Sequence, residues 1–322
     1  MIIGEEIVGR SAIIKKVFNL IARVAPTDTT VLLTGETGSG KEVLARAMHT
    51  LSKRADGPFV AINCSAIPET LLESELFGYK RGAFTGAGTD KKGIIEEANK
   101  GTLFLDEIGD MSLTVQSKML RVLENSEVRR LGDNDFKKVD IRIISATNKD
   151  LWNEVQNNKF RDDLFFRINV VRIHIPPLRE RKEDIPILIR YFLEKYNKDY
   201  NKDVIRISDE VLAILMNYDY PGNIRELENI IKHAIVFSEK GIIIKADLPS
   251  GIPSPALLES PKKGPANNEF ITIAAMEKEL IREALRKCNN HHTVVSEKLG
   301  ISRSTLWRKM KEYDLLNSVE KD

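Results

Sequence analysis

Five short apolar runs, separated by stretches of helical periodicity, constrain the first 175 residues more than any other feature. They fall at 30–34, 59–64, 102–106, 141–146 and 170–175. Strands alternating with helical patterns of this length build βαβ units, so the spacing predicts an α/β fold, a parallel sheet flanked by helices. Pro176 and Pro177 end the pattern, because neither continues a ladder or a helix. From 182 to 246 the period turns helical, with Ile185, Leu188, Ile189 and Phe192 on one stripe, which predicts a small all-α subdomain. Residues 249–268 hold five of the twelve prolines together with Gly251 and Gly264, a linker composition. A last block, 271–316, is helical again.

At 42% hydrophobic and 30% charged residues, the chain can bury a core, which excludes disordered and collagen-like classes. No run approaches the ~18 apolar residues of a membrane span, and the first residues lack the basic start and apolar run of a signal peptide. Cys64 and Cys288 make neither a disulfide framework nor a thiolate zinc site, and suit a reducing compartment. The expected location is the cytoplasm. Residues 1–250 hold 37 Lys+Arg and 37 Asp+Glu, whereas residues 270–322 hold 10 and 8, so the whole net charge of +2 sits in the last block. A basic tail on a neutral body suits a nucleic-acid partner.

The strongest local signal is Gly35, Glu36, Thr37, Gly38, Ser39, Gly40 and Lys41, directly after an apolar run and before a helical one. The glycines let the backbone turn its N–H groups inward at phosphate oxygens. Lys41 adds a point charge for the β- and γ-phosphates, and the helix N-terminus adds its dipole. A glycine-rich turn with a surface lysine is the alternative, which the strand–loop–helix setting disfavours. Position 42 is Glu, where a general P-loop has a hydroxyl for Mg²⁺, so another carboxylate must carry more of the metal.

The run 102–107 supplies that carboxylate, since it is a strand ending in Asp106 and Glu107. Asp106 can hold Mg²⁺ and Glu107 can polarise an attacking water. Alone, the two would read as solvated strand-end acids; beside a phosphate loop they read as a hydrolytic pair. Asn148, ending the fourth strand, can orient water or contact a γ-phosphate. Asn63, ending the second, can hold Glu107 inactive through a hydrogen bond, although either asparagine also serves as a plain turn former. Arg161 and Arg167 flank an aromatic cluster and stand about 600° apart on a helix, so they do not share a face and differ in role if both are functional. Arg225, in a first helical turn, opposes the dipole, which a phosphate would justify.

Two segments point away from nucleotide chemistry. Gly82, Ala83, Phe84, Thr85, Gly86 and Ala87 hold no acid, base or nucleophile. They make a flexible loop with one aromatic, suited either to docking a macromolecule or to a turn with a tucked phenylalanine. In the tail, a helical run reaches Gly300, Ser302 caps a second run, and the pair reads as a helix-turn-helix with its second helix set for a DNA major groove. Ser302, Arg303, Ser304 and Thr305 open that helix where base and phosphate contacts are made, and Arg308, Lys309 and Lys311 add phosphate charge. A helical hairpin for oligomerisation is the alternative. His291 and His292 are adjacent, which makes a poor metal site.

Taken together, these residues resemble the bacterial enhancer-binding proteins, the AAA+ activators of sigma-54 RNA polymerase, over nearly the whole chain. The resemblance rests on GETGSGKE at 35–42, GAFTGA at 82–87, TLFLDE at 102–107, ISATN at 144–148, FRDDLFFR at 160–167 and GNIREL at 222–227. It implies an AAA+ P-loop NTPase subdomain at 1–175, an all-α lid at 176–248, a linker at 249–269 and a Fis-type helix-turn-helix at 270–322. It also implies ATP and Mg²⁺ as cofactors, with residues 35–42 and Arg225, the sensor II position, around the nucleotide. Asp106 would hold the metal, Glu107 would activate water, Asn63 would switch Glu107 off, and Asn148 would lie in sensor I. Arg161 and Arg167 look like fingers reaching into a neighbour's site within a ring, which the resemblance implies to be a hexamer. The loop 82–87 is the family's sigma-54 contact, and a Glu at position 42 is usual there. The implied function is promoter opening by sigma-54 holoenzyme from an upstream DNA site, driven by ATP hydrolysis. A protein-remodelling chaperone with a client-selecting tail and a DNA-binding repressor with a decayed ATPase are the rivals. These activators commonly begin with a receiver or sensory domain, and only about eight residues precede Gly9 here. That implies either a regulatory domain outside this sequence or control by a separate protein.

Overall fold

The structure is a computed structural model, and it describes residues 8–239, 241–252, 273–288, 291–313 and 315. Two compact units, Met1–Glu259 and Ser260–Asp322, are described separately. The first is built on five parallel strands, β1 (Val31–Thr34), β2 (Phe59–Asn63), β3 (Thr102–Asp106), β4 (Arg142–Thr147) and β5 (Val171–His174), in the order β2-β3-β4-β1-β5. Each expected run forms a strand, shifted at its ends by no more than a residue or so. β1 and β4 are buried along their whole length, as expected for central strands of a parallel sheet covered on both faces.

The side chains alternate between two cores with the period of a strand. Leu32, Leu103, Leu105 and Ile143 pack with Phe77 and Met119 on one face, while Val31, Leu33, Phe104 and Ile144 pack with Ile14, Phe18 and Met48 on the other. The second face is closed by α1 (Ala12–Val24) and α2 (Lys41–Thr50), the first by α3 (Glu69–Phe77) and α4 (Leu113–Asn125). Helix α1 follows from its sequence, because Ile14, Val17, Phe18 and Ile21 form one apolar stripe and Ser11 caps the start. Its C-terminal carbonyls are capped from a distance. The fully buried Arg142 donates to Ala25 O at 2.6 Å and Val24 O at 3.1 Å, answering backbone groups that a helix end leaves unsatisfied.

After β5 the chain enters the helical subdomain, α6 (Ile185–Tyr200), α7 (Asp209–Asn217) and α8 (Asn223–Phe237), with a separate core of Leu188, Phe192, Leu227 and Ile231. The short α5 (Asp162–Ile168) precedes β5. In the second unit, α9 (Ile273–Lys287), α10 (His292–Lys298) and α11 (Arg303–Glu312) share Ile281, Leu285, Val295, Leu306 and Met310. Gly300 takes φ +63° in the turn, and Ser302 Oγ accepts from Thr305 N at 3.1 Å, so the expected turn and cap are both there.

One polar anchor ties the start of α1 to the helical subdomain. Asp184, fully buried, accepts from Arg10 N (2.7 Å), Ser11 N (2.8 Å) and Ser11 Oγ (2.7 Å). Asp184→Ala would leave two backbone donors without a partner in the interior, and should lower unfolding stability by about 3 kcal/mol. Urea denaturation followed by circular dichroism measures this.

Candidate functional site

The loop between β1 and α2 turns on Gly38 (φ +76°) and Gly40 (φ +103°), left-handed conformations that side chains rarely adopt. At its end Lys41, almost fully buried, donates from Nζ to Gly35 O at 3.0 Å and stands 3.3 Å from Glu107 Oε1. The other oxygen of Glu107 accepts from the backbone N of Asn148 at 3.0 Å, and the Asn148 amide donates to Thr37 Oγ1 at 3.2 Å. Loop, second acid and fourth-strand asparagine are thus brought together by the strand order, which sets β4 between β1 and β3. They line a cleft of about 520 Å³ that also takes in Asp106, Arg181 and Arg225, with Leu188 and Tyr191 at its apolar side.

Asp106 lies at the cleft beside Glu107, and burial, followed by the neighbouring Glu107 charge, pushes its carboxyl above the ordinary range. It accepts from Glu107 N (3.1 Å) and, at 3.5 Å, from Asn63 Nδ2. Magnesium is usually held by one or two carboxylates and completed by phosphates and water, so this donor set fits it, with Asp106 as the protein ligand. Among the described residues there is no cluster of three His, Cys, Asp or Glu that could cage a metal.

Asn63 also lines the cleft, but its expected hydrogen bond to Glu107 is not the one it makes. Asn63 does not touch Glu107. It is paired in register with Asp106 across β2 and β3, and its oxygen is taken by Ser65 N (2.9 Å) and Ser65 Oγ (2.7 Å). Glu42 lines the cleft with Lys41 and also pairs with Arg46, one helical turn on, at 2.7 Å. Arg225, in the first turn of α8, does reach the cleft, whereas Arg161 and Arg167 do not line it. Arg161 forks onto Asp163 at 3.0 and 2.6 Å from the N-cap of α5, and Arg167 donates to Leu123 O at 3.2 Å.

The lid side of the loop holds residues that the sequence reading passed over. Arg179 grips Glu36 with two bonds of 2.8 and 2.6 Å, and Asn223 Nδ2 adds a third at 3.1 Å. These contacts, Arg179 first, hold the Glu36 carboxyl well below the usual range, at about 2. Arg181 donates to Ser39 O at 2.9 Å, and Ile224 N to Gly38 O at 3.0 Å. Only the signal at Pro221–Asn223 hinted at this surface, and it announced a helix start, not a contact 186 residues away.

The 82–87 loop lies outside the cleft. Gly82 N donates to Ala87 O at 2.9 Å to close it, and Gly82 and Gly86 take φ +83° and +105°. Phe84 is 43% exposed and meets Tyr79 edge-on at 4.9 Å, so the ring is only partly tucked. In the second unit Ser302, Arg303, Ser304, Arg308 and Lys311 are exposed on α11, with Thr305 half-buried. Lys309 is not a free charge, because it pairs with Glu277 of α9 at 2.5 Å.

The sigma-54 interaction domain model matches residues 7–174. The chain belongs to that family. The AAA+ ATPase lid domain matches 179–263, and the bacterial regulatory protein, Fis family, matches 272–313. The chain is 46% identical over 297 residues to the regulatory protein AtoC of Escherichia coli, covering 91% of this chain and 64% of that one. It is 45% identical over 303 residues to the transcriptional regulatory protein ZraR of Salmonella typhimurium, covering 94% and 68%. Among solved structures, NtrX from Brucella abortus in complex with ATP superposes with a TM-score of 0.72 at 34% identity, covering 96% of this chain and 69% of that one. The chain therefore spans about two thirds or less of the length of these relatives, and 55% of the E. coli regulator UacR. Hsp104, at 18% identity and a TM-score of 0.52, shares the fold. No described helix is long and apolar enough to cross a membrane.

The closeness of loop and lid yields a test. A Cβ on Gly38 would fall 2.2 Å from Gly222 O, where φ is already positive. Gly38→Ala should push the start of α8 off the loop at a cost of about 1–3 kcal/mol. Hydrogen exchange should show the Ile224 amide, the donor to Gly38 O, exchanging roughly tenfold faster or more.

Proposed function

We propose that the chain is an ATP-hydrolysing activator of sigma-54 RNA polymerase, working as a ring of copies from upstream DNA in the cytoplasm. The observation that carries the reading is Glu107, held between Lys41 and the Asn148 amide at the mouth of a phosphate loop. The match to the sigma-54 interaction domain supplies the partner, and the ATP-bound relative supports the nucleotide.

The chemistry follows from what each residue can do. Backbone N–H groups of Gly38 and Gly40 and the dipole of α2 bind the β- and γ-phosphates. Lys41 is shared between Glu107 and the loop carbonyls, and a γ-phosphate oxygen competes for its ammonium. Glu107, released from that pair, takes a proton from the attacking water as general base. Asp106 would hold a Mg²⁺, which would supply positive charge to the phosphates. Asn148 orients the water or the γ-phosphate from β4, and Arg225 approaches from the lid. Arg161 and Arg167, turned away from their own cleft, stabilise developing charge in a neighbouring copy. The loop carrying Phe84 and Thr85 transmits the change to sigma-54, and α11 holds the enhancer through Arg303, Arg308 and Lys311.

Glu107→Gln should leave ATP bound while turnover falls by roughly 10²–10⁴-fold, the usual worth of a positioned general base. Nucleotide titration beside a phosphate-release assay measures both, and near-normal turnover would remove Glu107 from its role. The polymerase reading is tested by promoter opening with sigma-54 holoenzyme, with ATP and with a non-hydrolysable analogue. Phe84→Ala should keep most of the hydrolysis and lose open complexes, because the ring lies away from the phosphate site. Opening that proceeds without hydrolysis, or that survives in Phe84→Ala, would defeat the assignment.

A further inference from the structure

Three consecutive carbonyls of the phosphate loop are each held by the lid side. Thr37 O accepts from Asn223 Nδ2 at 3.1 Å, Gly38 O from Ile224 N at 3.0 Å, and Ser39 O from Arg181 at 2.9 Å. A peptide unit is planar and trans, so an oxygen drawn one way turns the following N–H the other way. The three contacts therefore set the N–H groups of Gly38 and Gly40 away from the lid. Ser39 N closes a turn onto Glu36 O at 3.2 Å. An array of convergent N–H groups is what an anion nest requires.

Arg181 is the unusual member. It is 4% exposed, and burial pulls its guanidinium down to about 10. A buried cation is ordinarily paired with a carboxylate. The nearby candidate, Asp184, already accepts from Arg10 N, Ser11 N and Ser11 Oγ. Arg181 Nε, buried, has no hydrogen-bond partner among the described residues, and neither has the buried Ser39 Oγ beside the same loop. What Arg181 holds is a backbone oxygen of the phosphate loop, and its charge remains at the cleft wall. Asn223 complements it. Fully buried with φ +53°, it also accepts from Leu178 N at 2.8 Å and so locks the hinge to the loop.

We propose that Arg181, supported by Asn223, is a positioning residue that presets the phosphate loop for a polyphosphate by holding its carbonyls toward the lid. The inference rests on the ATP-binding reading and deepens it by naming what shapes that subsite.

The test uses the full chain and compares affinities for ATP, ADP and adenosine, by titration calorimetry and by competition at millimolar concentrations. Arg181→Met should weaken ATP and ADP alike by about 10–100-fold, the worth of a hydrogen bond to a charged group, and leave adenosine within about twofold. Arg181→Lys, which keeps a charged donor, should recover about half of the loss on a logarithmic scale. Asn223→Gly tolerates the positive φ and should show the same selectivity for phosphate, which keeps the test decisive if Arg181→Met does not fold. A merely structural Arg181 would lower the unfolding temperature and weaken all three ligands together, and that result overturns the proposal. So does an unchanged ATP affinity in folded Arg181→Met. ATP bound without hydrolysis by the unmodified chain leaves this inference standing and defeats only the catalytic reading. Absence of any ATP binding brings down the nucleotide reading and this inference with it.

Discussion

The N-terminus of α8 rests directly on the phosphate loop, and the rest of the first unit is arranged around that contact. Only glycine fits at position 38, because the Gly222 carbonyl occupies the space of a side chain. The contact is polar on both sides, with Glu36 gripped by Arg179 and Asn223 and the loop carbonyls taken by lid donors. Loop shape and lid position are consequently one variable. A group bound through its phosphates to the loop would therefore be felt at the lid, which is the coupling the proposed ATPase needs.

On the sheet side the same economy holds. The order β2-β3-β4-β1-β5 places Asp106 and Glu107 one strand away from Asn148, and Asn148 one strand away from the loop. Hydrogen bonds then close the circuit from Thr37 through Asn148 to Glu107 and Lys41. Arg161 and Arg167 stand outside that circuit, which suits a site finished by another copy. The proposed partner loop, at 82–87, is separated from the chemistry in space as well as in composition.

Much of this was legible in the chain itself. Strands betrayed themselves by apolar runs, the loop by its glycines, and the cap at Ser302 by its residue type, because these signals are local. Contacts between residues far apart in sequence left no such trace. Arg181, Arg142 and Asp184 look like ordinary surface charges in the sequence, yet each is buried against backbone groups from a distant element. Asn63 stands beside Asp106 in the sheet, a placement that cannot be counted from one strand alone. The Lys309–Glu277 pair left no trace either, because the sequence does not say which face of α11 meets α9.

That last ion pair has a consequence for how tightly a single copy can hold DNA. With Lys309 committed to Glu277, the described face of α11 offers Arg303, Arg308 and Lys311 to phosphates. Three neutralised phosphates give a salt slope of only about −2.7, which describes a grip that physiological ionic strength loosens readily. In the proposed ring, copies tethered together and bound to neighbouring sites would add the effective concentration that one tail lacks.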